Sequence, residues 1–213
     1  YDAGVHGSLF YLAMEYIQGI DLHHQVEQHG PMSIPLVYDY LRQAALGLQH
    51  THQHRLVHRD IKPSNLIVTT TTREDEPGLL KILDLGLARI MDAPTGDTPE
   101  SQITQIGSFM GTPDFIAPEQ ANDPRRADAR SDLYSLGCTF YYCLTGRVPF
   151  HGSTILSKLM QHQMAAPVPV EQLRPDVPPR LASALRRLME KDPQKRFASA
   201  SELLQALIPT AAS

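Results

Sequence analysis

The segment His58-Arg59-Asp60-Ile61-Lys62-Pro63-Ser64-Asn65 gathers the groups in this chain best suited to chemistry. It offers a carboxylate, an amine two residues on and a side-chain amide five residues on. Phosphoryl transfer uses that set: a carboxylate to orient the attacking hydroxyl, a cation for the developing phosphate charge, and an oxygen ligand for a divalent metal. A second carboxylate follows in Asp84-Leu85-Gly86, directly after an apolar run that ends at Leu83. An acid at a strand end beside a glycine suits a metal site at a sharp turn. A third segment, Gly111-Thr112-Pro113-Asp114-Phe115-Ile116-Ala117-Pro118-Glu119, closes the long polar stretch that comes next.

These groups need a scaffold, and hydropathy patterning supplies one. Residues 9–17 are short, apolar and aromatic, which predicts a buried strand. Asp21 is placed to cap a short helix to about residue 28. Ser33 is placed to cap a long one to about residue 54, with Ile34, Val37, Tyr38, Leu41, Ala45 and Leu48 on one face. The candidate site thus begins just past a long amphipathic helix. It ends at the first of two short strands, Leu66-Ile67-Val68 and Leu80-Lys81-Ile82-Leu83. The polar segment 69–78, with its Glu74-Asp75-Glu76 run, reads as an exposed loop. Residues 86–118 are rich in Gly, Pro, Ser and Thr, and loops of that length are functional or disordered. Four helical patterns follow, at about 130–145, 153–163, 179–190 and 200–207, with Ser131 and Ser201 at cap positions.

Bulk properties exclude other classes. The 213 residues are 42% hydrophobic and 20% charged, the composition of a globular domain with a sizeable core. A net charge of −4 gives no basic field for nucleic acid. No apolar run reaches the ~18 residues of a membrane span. Cys138 and Cys143 lie in an apolar run, too far apart on a helix to pair, and are read as reduced core residues. His50, His52, His54 and His58 have no Cys or carboxylate at ligand spacing. Apart from His58, they are read as a solvated helix end. His23 and His24 are expected at the surface. Tyr134, Phe140, Tyr141 and Tyr142 are read as helix packing.

The ordered signatures His-Arg-Asp-x-x-x-x-Asn, Asp-x-Gly and Ala-Pro-Glu resemble those of the eukaryotic-like protein kinases, in their bacterial Ser/Thr form. The resemblance runs from Met14 to the last helix near Leu207. It implies an α+β, protein-kinase-like fold, mostly the helical C-lobe with a few short strands. Residues 1–20 would be a remnant of N-lobe strands and hinge. Residues 21–208 would be the C-lobe, with a catalytic loop at 57–66 and an activation segment at 84–119, and 209–213 a tail. ATP with Mg²⁺, or Mn²⁺, would be the cofactors and a protein the substrate. The domain would be cytoplasmic, and the resemblance leaves room for a membrane or sensor domain elsewhere in a full-length gene.

The resemblance also implies roles. Asp60 would be the catalytic base and Lys62 the γ-phosphate contact. Asn65 and Asp84 would hold metal, and the Thr112 hydroxyl would bond Asp60 and Lys62. Met14 would be the gatekeeper, the backbone of Glu15 and Ile17 would read adenine, Asp21 the ribose, and Leu66 would lie beneath the ring. Glu119 would pair with Arg196, Asp132 would brace the catalytic-loop backbone, and His58 would be structural within it. By charge, Arg59, beside the Asp60 carboxylate, would bind a phosphate on the 86–111 loop, with Ser101, Thr104 and Ser108 as candidate acceptors and Thr104 preferred for its distance from Thr112.

Two features depart from that family. Leu85 stands where phenylalanine is commoner, a tolerated apolar change. No Gly-x-Gly-x-x-Gly loop, strand lysine or helix glutamate precedes the site. The chain alone is therefore expected to be nearly inactive, aggregation-prone at its open sheet edge, and a fragment of a longer gene. A catalytically silent kinase-like scaffold and a small-molecule phosphotransferase are the alternative functions. The latter lack the Gly-Thr-Pro…Ala-Pro-Glu segment.

Overall fold

The computed structural model describes residues 2–7, 9–70, 78–83 and 113–208. Two strands, β1 (Asp2–His6) and β2 (Leu9–Ala13), form an antiparallel ribbon. A second, three-stranded antiparallel sheet has the order β3 (Gly19–Asp21), β4 (Leu66–Thr69), β5 (Leu80–Ile82). The helices are α1 (Leu22–His29), α2 (Ile34–Gln53), α3 (Pro118–Asn122), α4 (Ala129–Thr145), α5 (Ile155–Met164), α6 (Val170–Leu173), α7 (Pro179–Leu188) and α8 (Ala200–Leu207).

The core is built around α4. Every residue from Ser131 to Leu144 is buried, so this helix is covered all round rather than along one stripe. Tyr134, Phe140, Tyr141 and Tyr142 pack inside it, as expected. Against it lie α2, through Val37, Leu41, Ala44, Ala45 and Leu48, and α7, through Leu181 and Leu185. Gly137 permits the α7 approach: a Cβ there would sit 2.7 Å from that of Leu188. Gly146 ends the helix in the left-handed conformation at φ 67° and donates its amide to Tyr142 O. Cys138 and Cys143 are free and buried, their thiols pushed up by burial, Cys138 to about 12.

Some local expectations need correction. The strand predicted for 9–17 stops at Ala13, and Tyr11, Met14 and Tyr16 are exposed rather than buried. Among the described residues β2 pairs only with β1. Ser33 sits at the N-cap of α2 but makes no side-chain cap bond. The cap of α4 is Asp128, with Ser131 completing a capping box one turn in. Ser199, not Ser201, caps α8. The 71–77 part of the polar loop lies outside the described residues.

α5 seats His162 without exposure, its Nδ1 3.0 Å from the Tyr134 hydroxyl and its ring edge-on to Phe150. Burial, then the Lys191 charge, pushes its pKa down to about 3. Lys191 lies over the Phe150 ring, and Lys158 is paired with Asp114. An unfolded His162 takes up its proton near 6.5, the folded one only near 3. The burial-linked stability is therefore complete above pH 6.5 and falls as pH drops toward 3. Wild-type chain should lose about 2 kcal/mol of this contribution between pH 7 and pH 5. Urea unfolding of His162→Phe at both pH values should show a correspondingly shallower slope; equal slopes would contradict the assignment.

Candidate active site

The segment joining α2 to β4 is short, and much of its conformation is imposed from outside. Arg59 adopts φ 65°, a left-handed conformation unfavourable for a residue with a Cβ. The Asp132 carboxylate, fully buried on the first turn of α4, holds it there. Oδ2 accepts the His58 amide at 2.9 Å and Oδ1 the Arg59 amide at 2.7 Å. From the other side, Gln120 Nε2 donates to Arg59 O at 2.7 Å.

His58 has no exposed surface. Its Nε2 lies 2.7 Å from Leu83 O, and its Nδ1 accepts the Asp60 amide at 3.3 Å. A carbonyl only accepts, so the ring is the Nε2–H tautomer. The Leu83 amide in turn donates to Asn65 O at 2.8 Å. Both backbone polar groups of the residue before Asp84 are thus fixed to the segment 58–65. Asp84 itself, like Thr104 and Thr112, lies outside the described residues, as do Ser101 and Ser108.

Three of the expected residues converge. Lys62 Nζ lies 2.9 Å from Asp60 Oδ2, and Asn65 Nδ2 donates to that oxygen at 3.0 Å and to Asp60 O at 2.8 Å. The Asp60 and Lys62 side chains remain about a third exposed, at 35% and 28%. A carboxylate oriented this way can accept a proton from an incoming hydroxyl, and the adjacent ammonium can neutralise an anion. With both Asn65 amide protons spent on Asp60, its Oδ1 is the remaining hard oxygen donor, the type Mg²⁺ takes. No group of three or more His, Cys, Asp or Glu fit to hold a metal occurs among the described residues.

The expected nucleotide-facing residues are more dispersed. Glu15 pairs with Lys81 of β5 at 2.6 Å, and Met14 is half-exposed. Asp21 caps α1 by accepting the His24 amide at 3.0 Å, and its Oδ2 lies 2.6 Å from His24 Nδ1. That hydrogen bond and the Asp21 charge raise the His24 pKa. Leu66 has no exposed surface and belongs to the core. Burial alternates along β4, and its neighbour Ile67, paired opposite Asp21, is part-exposed. Leu66 therefore has no exposed face for a ring, whereas Ile67 has one.

Two supporting pairs tie the site to the helices. Glu119 receives Arg196 bidentately at 2.7 and 2.8 Å, and the Ser131 hydroxyl at 2.6 Å. Arg196 also donates to the carbonyls of Glu190, Arg130 and Lys191, so every guanidinium N–H has an acceptor. Burial raises the Glu119 carboxyl, but the Arg196 bonds and charge outweigh it and hold the group below its usual range. Asp114, buried, lies 2.5 Å from Lys158 of α5.

Sequence reasoning missed His52 and Gln120. His52 is no part of a solvated helix end: its side chain is 12% exposed, with Nε2 2.8 Å from Asp132 Oδ2. Helical spacing puts it on the face opposite His50 and His54, but only the partner on α4 gives that face its meaning. Gln120 offered only a polar side chain beside Glu119.

Removing the Asp132 carboxylate takes its acceptor from the buried His58 amide and breaks its bond to the Arg59 amide. Asp132→Ala should lower the unfolding free energy by about 3 kcal/mol, and His52→Ala by about 1. Arg196→Met should cost about 3–5 kcal/mol, because it strands Glu119. Urea unfolding midpoints measure all three, and a wild-type midpoint for Asp132→Ala would refute the bracing role.

Comparison with known proteins gives the same picture. The protein kinase domain family matches residues 1–207. The serine/threonine-protein kinase PknB of Mycolicibacterium smegmatis is 35% identical over 212 residues, covering 98% of this chain and 32% of the relative. The serine/threonine-protein kinase pkn2 of Myxococcus xanthus is 38% identical over 208 residues, covering 97% of the chain and 24% of the relative. The chain thus spans about a third or less of these proteins' length. Among solved structures, Rad53 1-466 in complex with AMP-PNP aligns with TM-score 0.72 at 27% identity, covering 93% of this chain and 47% of that one. The PknI kinase domain of Mycobacterium tuberculosis aligns with TM-score 0.69 at 23% identity, covering 97% and 68%, a likeness of fold. With the convergent Asp60, Lys62 and Asn65 and the family match over residues 1–207, the chain belongs to the protein kinase domain family.

Proposed function

We propose that this chain is the catalytic and substrate-binding lobe of a serine/threonine protein kinase that transfers the γ-phosphoryl group of ATP to a protein hydroxyl. The observation that carries the reading is the convergence of Lys62 and Asn65 on one oxygen of Asp60. Oδ2 is held, so the carboxylate is oriented and its other oxygen accepts the substrate hydroxyl. As the new O–P bond forms and the bond to the leaving diphosphate breaks, the hydroxyl proton passes toward Asp60. Lys62 exchanges its contact with Asp60 for the transferring phosphoryl oxygens. Asn65 Oδ1, with Asp84, would hold the divalent metal, Mg²⁺ or Mn²⁺, which when bound neutralises phosphate charge. Glu15 and Ile17 backbone groups, Asp21 and Ile67 would receive the nucleoside, with Met14 beside it.

In this reading residues 1–20 are hinge and N-lobe strands, 21–208 the C-lobe, and 84–119 the activation segment. Arg59, fixed at both backbone polar groups, is the proposed partner of a phosphate on the 86–111 loop, with Thr104 the preferred acceptor and Ser101 and Ser108 the alternatives. Phosphate there would order the loop beside Asp60. The partner is a protein substrate, not nucleic acid. No described helix is long and apolar enough to cross a membrane. Buried thiols at Cys138 and Cys143 suit a reducing compartment, and we assign the domain to the cytoplasm.

The test is Asp60→Asn in the full-length protein, with phosphoryl transfer from labelled ATP to Ser/Thr peptides and Mg–ATP affinity measured side by side. The rate should fall about 10²–10⁴-fold, with nucleotide affinity within about threefold of wild type. A wild-type protein that binds no Mg–ATP would instead identify a silent scaffold.

A further inference from the structure

The C-terminal end of α2 and its cap carry a pair of imidazoles outside the candidate active site. His50 and His54 are both exposed, one helical turn apart, with ring centroids 4.5 Å apart and planes at 49°. His54 Nδ1 lies 2.8 Å from His50 O. A carbonyl accepts, so Nδ1 carries the proton and the Nε2 lone pair is left bare. That is how metal-bound histidines are held: one ring nitrogen donates to a carbonyl, the other faces the ion.

The separation of the ring centres leaves room for such a pair. With metal–nitrogen bonds of about 2.0–2.1 Å, each ring centroid sits about 3.2 Å from the ion, and two rings at right angles lie about 4.5 Å apart.

We propose that His50 and His54 form a two-imidazole chelate for a divalent transition metal of the nickel–copper–zinc series, with water completing the coordination shell. Imidazole nitrogens favour these ions over Mg²⁺ and Mn²⁺, which prefer oxygen. The site is therefore chemically distinct from the oxygen-lined one at Asn65. His52 is not a third ligand, since its Nε2 is held by Asp132 and its Nδ1 is buried. No third protein ligand joins the pair among the described residues. The ion would staple the turn that leads into the catalytic segment.

The experiment is a Cu²⁺ titration of the full chain in excess Mg²⁺, followed by calorimetry and electron paramagnetic resonance. One site with hyperfine coupling to two nitrogens is expected. His50→Gln and His54→Gln should each weaken binding about tenfold or more and leave one-nitrogen coupling at most, since each removes the chelate advantage. His23→Gln should not change it. Both changed side chains are exposed, and unaltered circular dichroism would verify folding. Lack of Cu²⁺ binding would overturn the proposal. So would binding that survives in both variants, or that is lost in His23→Gln instead.

Discussion

The left-handed backbone at Arg59 is the conformation on which the candidate site depends, and it is not self-supporting. A residue with a Cβ gives up about 1–2 kcal/mol there. Two amides held by one carboxylate, with Gln120 on the next carbonyl, more than offset that. Asp132 lies in a helix buried from Ser131 to Leu144, so its position is as fixed as the core. The rigidity of α4 is passed by hydrogen bonds to a loop with little secondary structure of its own. Lys62 and Asn65 then complete the orientation of Asp60 locally.

The second anchor is the Arg196–Glu119 pair. A buried ion pair is weak evidence for net stability, because desolvation opposes its Coulomb attraction. Here its role is positional. It fixes α3 against the start of α4, and α3 carries Gln120, which reaches Arg59 O. Ser131 serves both structures, accepting the Asp128 amide in the capping box and donating to Glu119. Helix capping, loop anchoring and site geometry are therefore one connected network, not separate devices.

Much of this was legible in the sequence. The four longer helices after residue 118 followed from apolar periodicity, the short α3 and α6 did not, and the Asp60–Lys62–Asn65 spacing placed three groups within reach of one another. Side chains whose roles arise from distant partners were not legible. His52 looked like one of four similar histidines, and only the crossing of α2 by α4 separates it from His50 and His54. Leu66 and Ile67 are both apolar strand residues, and which faces the core depends on register. Ser201 and Ser199 are both good caps, and the choice rests on where α8 begins. Local chemistry reads from a sequence well; a one-residue choice between equivalent side chains needs the tertiary frame.

The partners that set the catalytic segment are far apart along the chain: His52 to Asp132 spans 80 residues, His58 to Asp132 74, and Glu119 to Arg196 77. A ribosome delivers the loop long before it delivers the carboxylate that shapes it. The nascent segment through Asn65 lacks the Asp132 and Gln120 bonds around Arg59 until α3 and α4 have emerged and docked. The second anchor arrives later still, when Arg196 clears the exit. During synthesis, completion of the C-terminal helices thus precedes assembly of the site.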